Sequence, residues 1–315
     1  MKYIFFGSPE FAKIVFKKLL DAGYVPTAVV CNPDRPAGRK KIITPPPVKQ
    51  LIENGKWQIE ILQPENLSAI SDKLLAIRPD LFIVAAYAKI IKKEILDIPK
   101  LGTIGTHPSL LPKHRGSSPI QTAILDNDEK TGVTLYLMDE KMDNGPILAN
   151  RKSQIANSDT YEILMRKLAE LGGDLLIETL PKFIACEKRA SAFGSGNTSG
   201  FIPPRKGHAP MRIKKLCDIP LQEQNHSQAT FTKKFTTQDA FIEPDKLEKA
   251  INIGGETAIK IYNKIRALNP EPGTWTIKTP PVNGKRMKIL EAELTDDKKL
   301  KLKTIQFESG KPRPF

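Results

Sequence analysis

Lys2-Tyr-Ile-Phe-Phe-Gly-Ser-Pro-Glu-Phe11 decides how the chain is read. An apolar run, Lys2–Phe6, ends at a glycine. Ser8-Pro9-Glu10 then caps a helix, with proline at its first helical position. The helical pattern runs to about Ala22, where Gly23 stops it. Thr27–Cys31, Leu81–Ala86 and Gly102–Thr106 repeat the strand signal, and their near-continuous hydrophobicity predicts a parallel sheet covered on both faces. Helical spacing over Ser68–Ile77 and Ala88–Leu96 fills the intervals. The alternation predicts an α/β fold with a Rossmann-like open sheet.

Farther along, Thr131–Met138 and Ile147–Ile155 flank Asp143-Asn144-Gly145, which predicts a hairpin or a switch to antiparallel pairing. Ser158 opens a long helix from Thr160 to about Ile184, closing a first domain at 1–186. Residues 187–227, with Gly194–Gly200 and Pro203-Pro204-Arg205-Lys206-Gly207, read as a linker able to drape over the domains. Residues 228–315 form a second domain. One helix over Pro244–Leu268 leads into short runs, Thr274–Lys278, Arg286–Glu293 and Lys299–Phe307, which predict a small OB-like β-barrel.

The composition sets outer limits. In 315 residues there are 49 Lys and Arg against 35 Asp and Glu, a net charge of +14, and 40% hydrophobic residues fit a globular chain. No run approaches the roughly 20 apolar residues of a membrane helix. The apolar stretch before Gly7 is too short for a signal peptide. Cys31, Cys186 and Cys217 are odd in number and far apart, which excludes a disulfide framework and a Cys-x-x-Cys metal site and predicts a reduced, cytoplasmic setting. Residues 189–315 hold 23 basic and 13 acidic residues, so ten of the fourteen net charges lie there. A basic half of this kind suits a polyanion as well as a merely soluble surface.

No Gly-x-Gly-x-x-Gly follows the first strand and no Gly-Lys-Ser/Thr loop exists, which argues against a dinucleotide or nucleoside triphosphate enzyme. In open α/β sheets ligands bind beyond the carboxyl ends of the strands, so the loops after Phe6, Ala86 and Thr106 are the places to search. The third of these carries His107 and His114, two of four histidines. An imidazole at a strand end can exchange protons near neutrality. Asp139 and Asp143 occupy another loop expected at the same edge, and a carboxylate beside an imidazole orients it. Asn32 to Pro47 is a long insertion in which Arg35, Arg39, Lys40 and Lys41 cluster among prolines, suited to a phosphodiester backbone or to plain solvation.

Taken together, Phe6-Gly-Ser-Pro-Glu-Phe11, Asn32-Pro-Asp-Arg-Pro-Ala-Gly-Arg39, Pro47-Val-Lys49, Ser109-Leu-Leu-Pro-Lys-His-Arg-Gly-Ser-Ser-Pro-Ile-Gln121 and the stretch from Thr131 to Gly145 resemble the methionyl-tRNA formyltransferases. Ile265-Arg-Ala-Leu-Asn-Pro-Glu-Pro-Gly-Thr-Trp275 resembles that family's C-terminal domain. The resemblance is poor only over about 190 to 260. It implies a formyltransferase-type open sheet and transfer of formyl from 10-formyltetrahydrofolate to the α-amine of methionyl initiator tRNA. His107 and Asp143 become the catalytic pair. Ser109, Leu110, Leu111 and Pro112, with Ala86, Tyr87 and Ala88, become the folate-binding residues, and no metal is implied. Arg35, Arg39, Lys40 and Lys41 would enter the acceptor stem, and Lys206, Lys285, Arg286 and Lys288 are the C-terminal candidates for tRNA contact. Trp275 reads as a core aromatic ahead of a base-stacking one. The protein is expected to be a monomer.

The sequence departs from the family where it matters most. The family has Asn-x-His at this strand end, with the asparagine amide donating to the formyl oxygen; here the residues are Gly105-Thr106-His107. Alternation puts Gly105 and His107 on one face and Thr106 on the other. Losing one oxyanion donor typically costs about 10²–10³ in rate. Three readings follow: a water or backbone N–H replaces the amide, the enzyme is slow, or the reaction differs. Ala88, where the family usually has glycine, and Pro108, which removes a backbone N–H, are smaller departures. A formyl-folate hydrolase, an amino-sugar formyltransferase and a decayed tRNA-binding protein remain as alternatives.

Overall fold

The computed structural model describes residues 1–38, 40–192, 220–277, 284, 286–308 and 310–315. Arg39, Lys206, Lys285, the glycine-rich stretch 194–200 and Asn283 lie outside them. Strand β1 (Tyr3–Phe6) is wholly buried. Helix α1 (Glu10–Asp21) follows as predicted, but Ser8 does not cap it: the residue before the helix is Pro9, and the Ser8 hydroxyl instead accepts from the Asn32 amide at 2.9 Å. That bond ties the first strand end to the second. Next come β2 (Ala28–Val30), the hairpin strands β3 (Arg35–Ala37) and β4 (Ile42–Thr44), α2 (Pro47–Asn54), β5 (Glu60–Leu62) and α3 (Ser71–Ile77).

Strands β6 (Leu81–Ala85) and β7 (Thr103–His107) are fully buried, as continuous apolar runs predict. The helix expected over Ala88–Leu96 is only one turn, α4 (Lys93–Leu96). Ile90 stands 87% exposed beside buried Ile91, and Lys89 reaches the carbonyls of Pro64 and Glu65. Lys89 is thus anchored to the chain before α3, and the residues ahead of Lys93 run as a loop. After β8 (Arg115–Gly116) and α5 (Pro119–Leu125), β9 (Lys130–Leu137) and β10 (Ile147–Gln154) flank the Asp143 loop, and α6 (Tyr161–Ala192) runs well beyond its expected end.

Seven strands make one sheet in the order β10-β9-β7-β6-β1-β2-β5. Parallel pairing runs from β5 to β7, and β7–β9 is antiparallel. Chain order reverses at β1 and β6, so their carboxyl ends and the adjoining end of β7 form the crest where an open sheet takes its ligand. Beneath the crest lie Ile4, Phe6, Val30, Phe82 and Val84, with the rings of Phe6 and Phe82 4.9 Å apart.

Two compact units are discernible: Met1–Arg115, Gly132–Ser153 and Arg166–Thr230, and Gly116–Thr131, Gln154–Met165 and Phe231–Phe315. The second is thus assembled from three stretches of chain. Its single expected helix is two, α7 (Pro244–Asn252) and α8 (Glu256–Leu268). Gly254 and Gly255 separate them with φ of 83° and 70°, left-handed geometry that glycine adopts without a Cβ penalty. After β11 (Phe231–Thr232) the strands β12 (Trp275–Ile277), β13 (Arg286–Leu294), β14 (Leu300–Phe307) and β15 (Arg313–Pro314) form an antiparallel ladder in that order, with register irregularities between Ile289 and Ala292. Among the described residues no hydrogen bonding returns from β15 to β12.

The stretch Ile265–Trp275 serves this unit from within. Buried Arg266 donates to the carbonyls of Ala156 and Asp159, at 3.2 and 2.8 Å, and to Asn263 Oδ1 at 2.7 Å. The Asn269 amide reaches the carbonyls of Ile289 and Leu290.

Candidate active site

His107 ends β7 and is 7% exposed. Its Nε2 lies 2.9 Å from the His114 carbonyl; a carbonyl only accepts, so this nitrogen carries a proton. Nδ1 therefore faces Asp143, whose Oδ2 is 3.6 Å away. The structure distinguishes the two loop aspartates. Asp139 accepts from the Lys141 amide and from Asn144 Nδ2 and so folds its own loop, whereas Asp143 meets the imidazole. Asp143 has a left-handed backbone, φ 48°, as do Ala86 and His114 at 48° and 59°. Non-glycine residues in this region carry strain that gathers at functional sites.

The other oxygen of Asp143 accepts from the Tyr136 hydroxyl at 2.7 Å. Burial first, then the Asp143 charge, pushes the Tyr136 phenol well above its ordinary value, so it remains a donor. Gln224 holds the loop from behind: its Nε2 donates to the carbonyls of Asp143 and Gly145, at 2.9 and 2.7 Å, and its Oε1 accepts from Arg115 Nε and Nη2. Arg115 also donates to Asn144 Oδ1 and His226 Nδ1. Gln222 bridges Ile147 in both directions, and Thr230 bonds to Pro112, His114 and Arg115. Residues 222–230 thereby lock the two loops that carry the imidazole and the carboxylate.

The loop after His107 is closed in the same way. Ser109 is fully buried, and its hydroxyl donates to the Lys113 carbonyl. Thr134 Oγ1 accepts from the Leu111 amide and donates to the Ser109 carbonyl. Ser109 and Leu111 thus shape the loop, leaving Leu110 and Pro112 half-buried. Ala86 and Ala88 are exposed at the end of the neighbouring parallel strand β6. Tyr87 turns inward, edge-on to Phe6, with its hydroxyl buried and without a partner among the described residues. Small residues at 86 and 88 and apolar Leu110 and Pro112 fit a flat heterocycle bound at the crest.

Thr106 takes the opposite face, as alternation requires. A Cβ on Gly172 of α6 would meet its methyl at 3.0 Å. Gly105 lies across from Tyr136 in the β7–β9 register. Sequence reasoning missed Tyr136, Gln224 and Arg115 as site residues. Arg115 lies within the Ser109–Gln121 motif, and Tyr136 is a lone phenol among the aliphatic residues of β9; Gln224 carried no signal.

Of the proposed tRNA contacts, Arg35 is ion-paired with Glu65, while Lys40 and Lys41 stand exposed on the hairpin beside exposed Ile42 and Ile43. Lys49 fastens the hairpin base to Asp34 and Gln63. In the second unit, Arg286 stacks on Trp275, 4.3 Å from the ring centroid, and Lys288 is half-buried. Trp275 is half-buried too, packed on Phe241 and bonded through Nε1 to the Thr237 carbonyl.

Residues 1–180 match the family described as formyl transferase, and residues 245–312 match the formyl transferase C-terminal domain. Fold and crest are those of an enzyme that moves formyl groups. Among proteins of known name, the chain is 38% identical over 295 residues to methionyl-tRNA formyltransferase of Halalkalibacterium halodurans, covering 93% of this chain and 78% of that one. It is 36% identical over 290 residues to that of Bacillus subtilis, covering 91% and 77%. The chain belongs to the methionyl-tRNA formyltransferase family. Solved structures share the fold: methionyl-tRNA formyltransferase from Clostridium thermocellum at TM-score 0.55 and 16% identity, covering 98% of this chain and all of that one, and an N-formyltransferase from Helicobacter canadensis at 0.58 and 19%, covering 94% and 88%.

Proposed function

We propose that the chain transfers formyl from 10-formyltetrahydrofolate to the amino group of methionyl initiator tRNA, with His107 and Asp143 as the catalytic pair. The observation that carries this is the approach of His107 Nδ1 to Asp143 Oδ2 at the carboxyl end of β7, in a chain of this family. The folate, when bound, supplies the formyl carbon; Ala86, Ala88, Leu110 and Pro112 would hold it. The amine nitrogen bonds to the formyl carbon as the bond from that carbon to the folate nitrogen breaks. Asp143 takes the proton that leaves the attacking amine, directly or through water, and the departing folate nitrogen gains one in its place. His107 keeps its Nε2 proton on the His114 carbonyl, which orients the ring so that Nδ1 and the carboxylate share the proton in transit. Because Nε2–H is committed to that carbonyl, the imidazole stabilises the charge that builds on the formyl oxygen through Nδ1, once the shared proton rests on that nitrogen.

The exposed hairpin, with Lys40 and Lys41 at its turn, supports tRNA as the substrate that carries the amine. Arg35, Arg39, Lys206, Lys285, Arg286 and Lys288 belong to the same reading, in which phosphate contacts are electrostatic and weaken with salt. Among the described residues no helix is long and apolar enough to cross a membrane. A monomer at work in the cytoplasm completes the reading. The test is incubation with 10-formyltetrahydrofolate and charged initiator or elongator methionyl-tRNA, following formyl-methionine. Product from the initiator is expected, and product from neither tRNA would leave a binding protein in its place.

A further inference from the structure

The antiparallel register sets Gly105 of β7 directly across from Tyr136 of β9. A Cβ at position 105 would lie 2.4 Å from Tyr136 Cε1, 2.6 Å from Cζ and 2.9 Å from the hydroxyl oxygen. The phenol end therefore fills the space into which any side chain at 105 would point. The ring is 3% exposed, and its hydroxyl donates to Asp143 Oδ1, while Asp143 Oδ2 faces His107. We propose that Tyr136 is a positioning residue for Asp143 and that Gly105 and Tyr136 are an obligate pair, the phenol standing where a side chain at 105 would otherwise reach the site. This rests on the assignment of His107 and Asp143 to formyl transfer.

A carboxylate on a loop can turn about its own bonds, and two equivalent oxygens give it two ways to face the imidazole. The Tyr136 hydroxyl removes that freedom. It occupies one oxygen with a charge-assisted hydrogen bond, and the other faces His107. Desolvation and the neighbouring charge keep the phenol protonated, so its single hydrogen stays available for this bond. Gly105 makes the arrangement possible, because a rigid ring cannot yield to a Cβ as a flexible chain end could. The missing asparagine and the buried phenol are then one change. Restoring asparagine alone introduces a collision, so Gly105→Asn is expected to lose activity, not regain it.

The experiment is steady-state kinetics of Tyr136→Phe, Tyr136→Ala, Gly105→Asn and the double variant Gly105→Asn/Tyr136→Ala, with His107→Ala alongside and thermal melting of each. Tyr136→Phe removes only the hydroxyl. Its kcat is expected to fall about 10- to 100-fold, the range of a hydrogen bond to a charged group. KM for both substrates should stay within about twofold, and the melting temperature should fall by only a few degrees, leaving the protein folded at the assay temperature. The double variant is expected to exceed both of its parent singles, a non-additivity that residues in contact show. Wild-type kcat in Tyr136→Phe overturns the positioning role, as does a fall matched by loss of folded protein. Full activity and stability in Gly105→Asn, or a double variant no better than its singles, overturns the obligate pair. If His107→Ala stays active, the assignment of the site itself fails. If His107→Ala is dead while Tyr136→Phe is normal, only the positioning role falls.

Discussion

The edge formed by β7 and β9 and the β3–β4 hairpin are both polar, yet they are built in opposite ways. At the edge, His107, Asp143, Tyr136, Arg115 and Gln224 are sunk below the surface, each held by a named partner. On the hairpin, Lys40 and Lys41 stand in solvent among exposed isoleucines, and the order lies at the base, where Lys49, Asp34 and Gln63 interlock. A group that must meet a reacting atom gains from being fixed beforehand, because reorganisation is then not part of the barrier. A group that meets phosphate acts through charge over several ångströms and needs reach more than fixity.

The strongest way to break the comparison is at the pair itself. Asp143→Asn keeps the shape of the side chain and removes its capacity to take a proton. Single-turnover formylation is expected to fall by about 10²–10⁴, with folate and tRNA affinity nearly unchanged. A loss of affinity in place of rate would make Asp143 a binding residue and move the chemistry elsewhere.

Next in size is Gln224→Leu, which fills similar space but withdraws a partner from Arg115 and from the carbonyls of Asp143 and Gly145. Urea unfolding should show a loss of about 1–3 kcal/mol, the cost of buried polar groups deprived of a partner. The rate should fall further than the loss of folded protein explains. An unchanged rate would mean that the Asp143 loop holds its place without the 222–230 segment.

What the sequence shows of this edge, and what it hides, follows from the same physics. The parallel sheet is visible because buried strands need unbroken apolar runs, and His107 is visible because a polar residue at the end of such a run is anomalous. The break between α7 and α8 was written in Gly254-Gly255, yet the amphipathic pattern on either side reads as one helix. Tyr136 looks like another strand aromatic until the β7–β9 register puts it opposite Gly105. Gln224 comes from a segment with no periodicity, and its partners lie about 80 to 110 residues away. Interactions of that kind depend on tertiary closure, which no local pattern encodes.

Smaller effects are expected on the hairpin. Lys40→Glu and Lys41→Glu should each raise KM for tRNA several-fold and leave kcat near its starting value. Each should make the fall of log affinity with log salt shallower by about one for every phosphate no longer neutralised. Stability should move by no more than about 0.5 kcal/mol, as at exposed sites without partners to break. A fall in kcat at unchanged KM would place the hairpin in the chemistry and erase the distinction drawn between the two regions.

Tyr87 gives the smallest effect at neutral pH and the sharpest limit on how closed the edge is. It sits at the end of β6, one strand from His107, and unlike Tyr136 its hydroxyl has no partner among the described residues. Burial, with Cys31 adding to it, pushes the phenol up to about 12. A raised acid binds its proton more tightly in the folded state than in the unfolded one, so the folded form is undisturbed below the ordinary value near 10. It then loses stability as pH rises from about 10 to 12. Tyr87→Phe removes that component, and denaturant titrations across this window should show a shallower alkaline decline than the parent. Tyr3 and Tyr136, also raised by burial, keep part of the decline in place. At pH 7 the same substitution should be neutral or stabilising by up to about 1 kcal/mol, because an unpartnered hydroxyl gains nothing from being buried. A clear destabilisation at pH 7 would mean that the hydroxyl has a partner after all, and that the crest is closed at β6 as firmly as it is at β7.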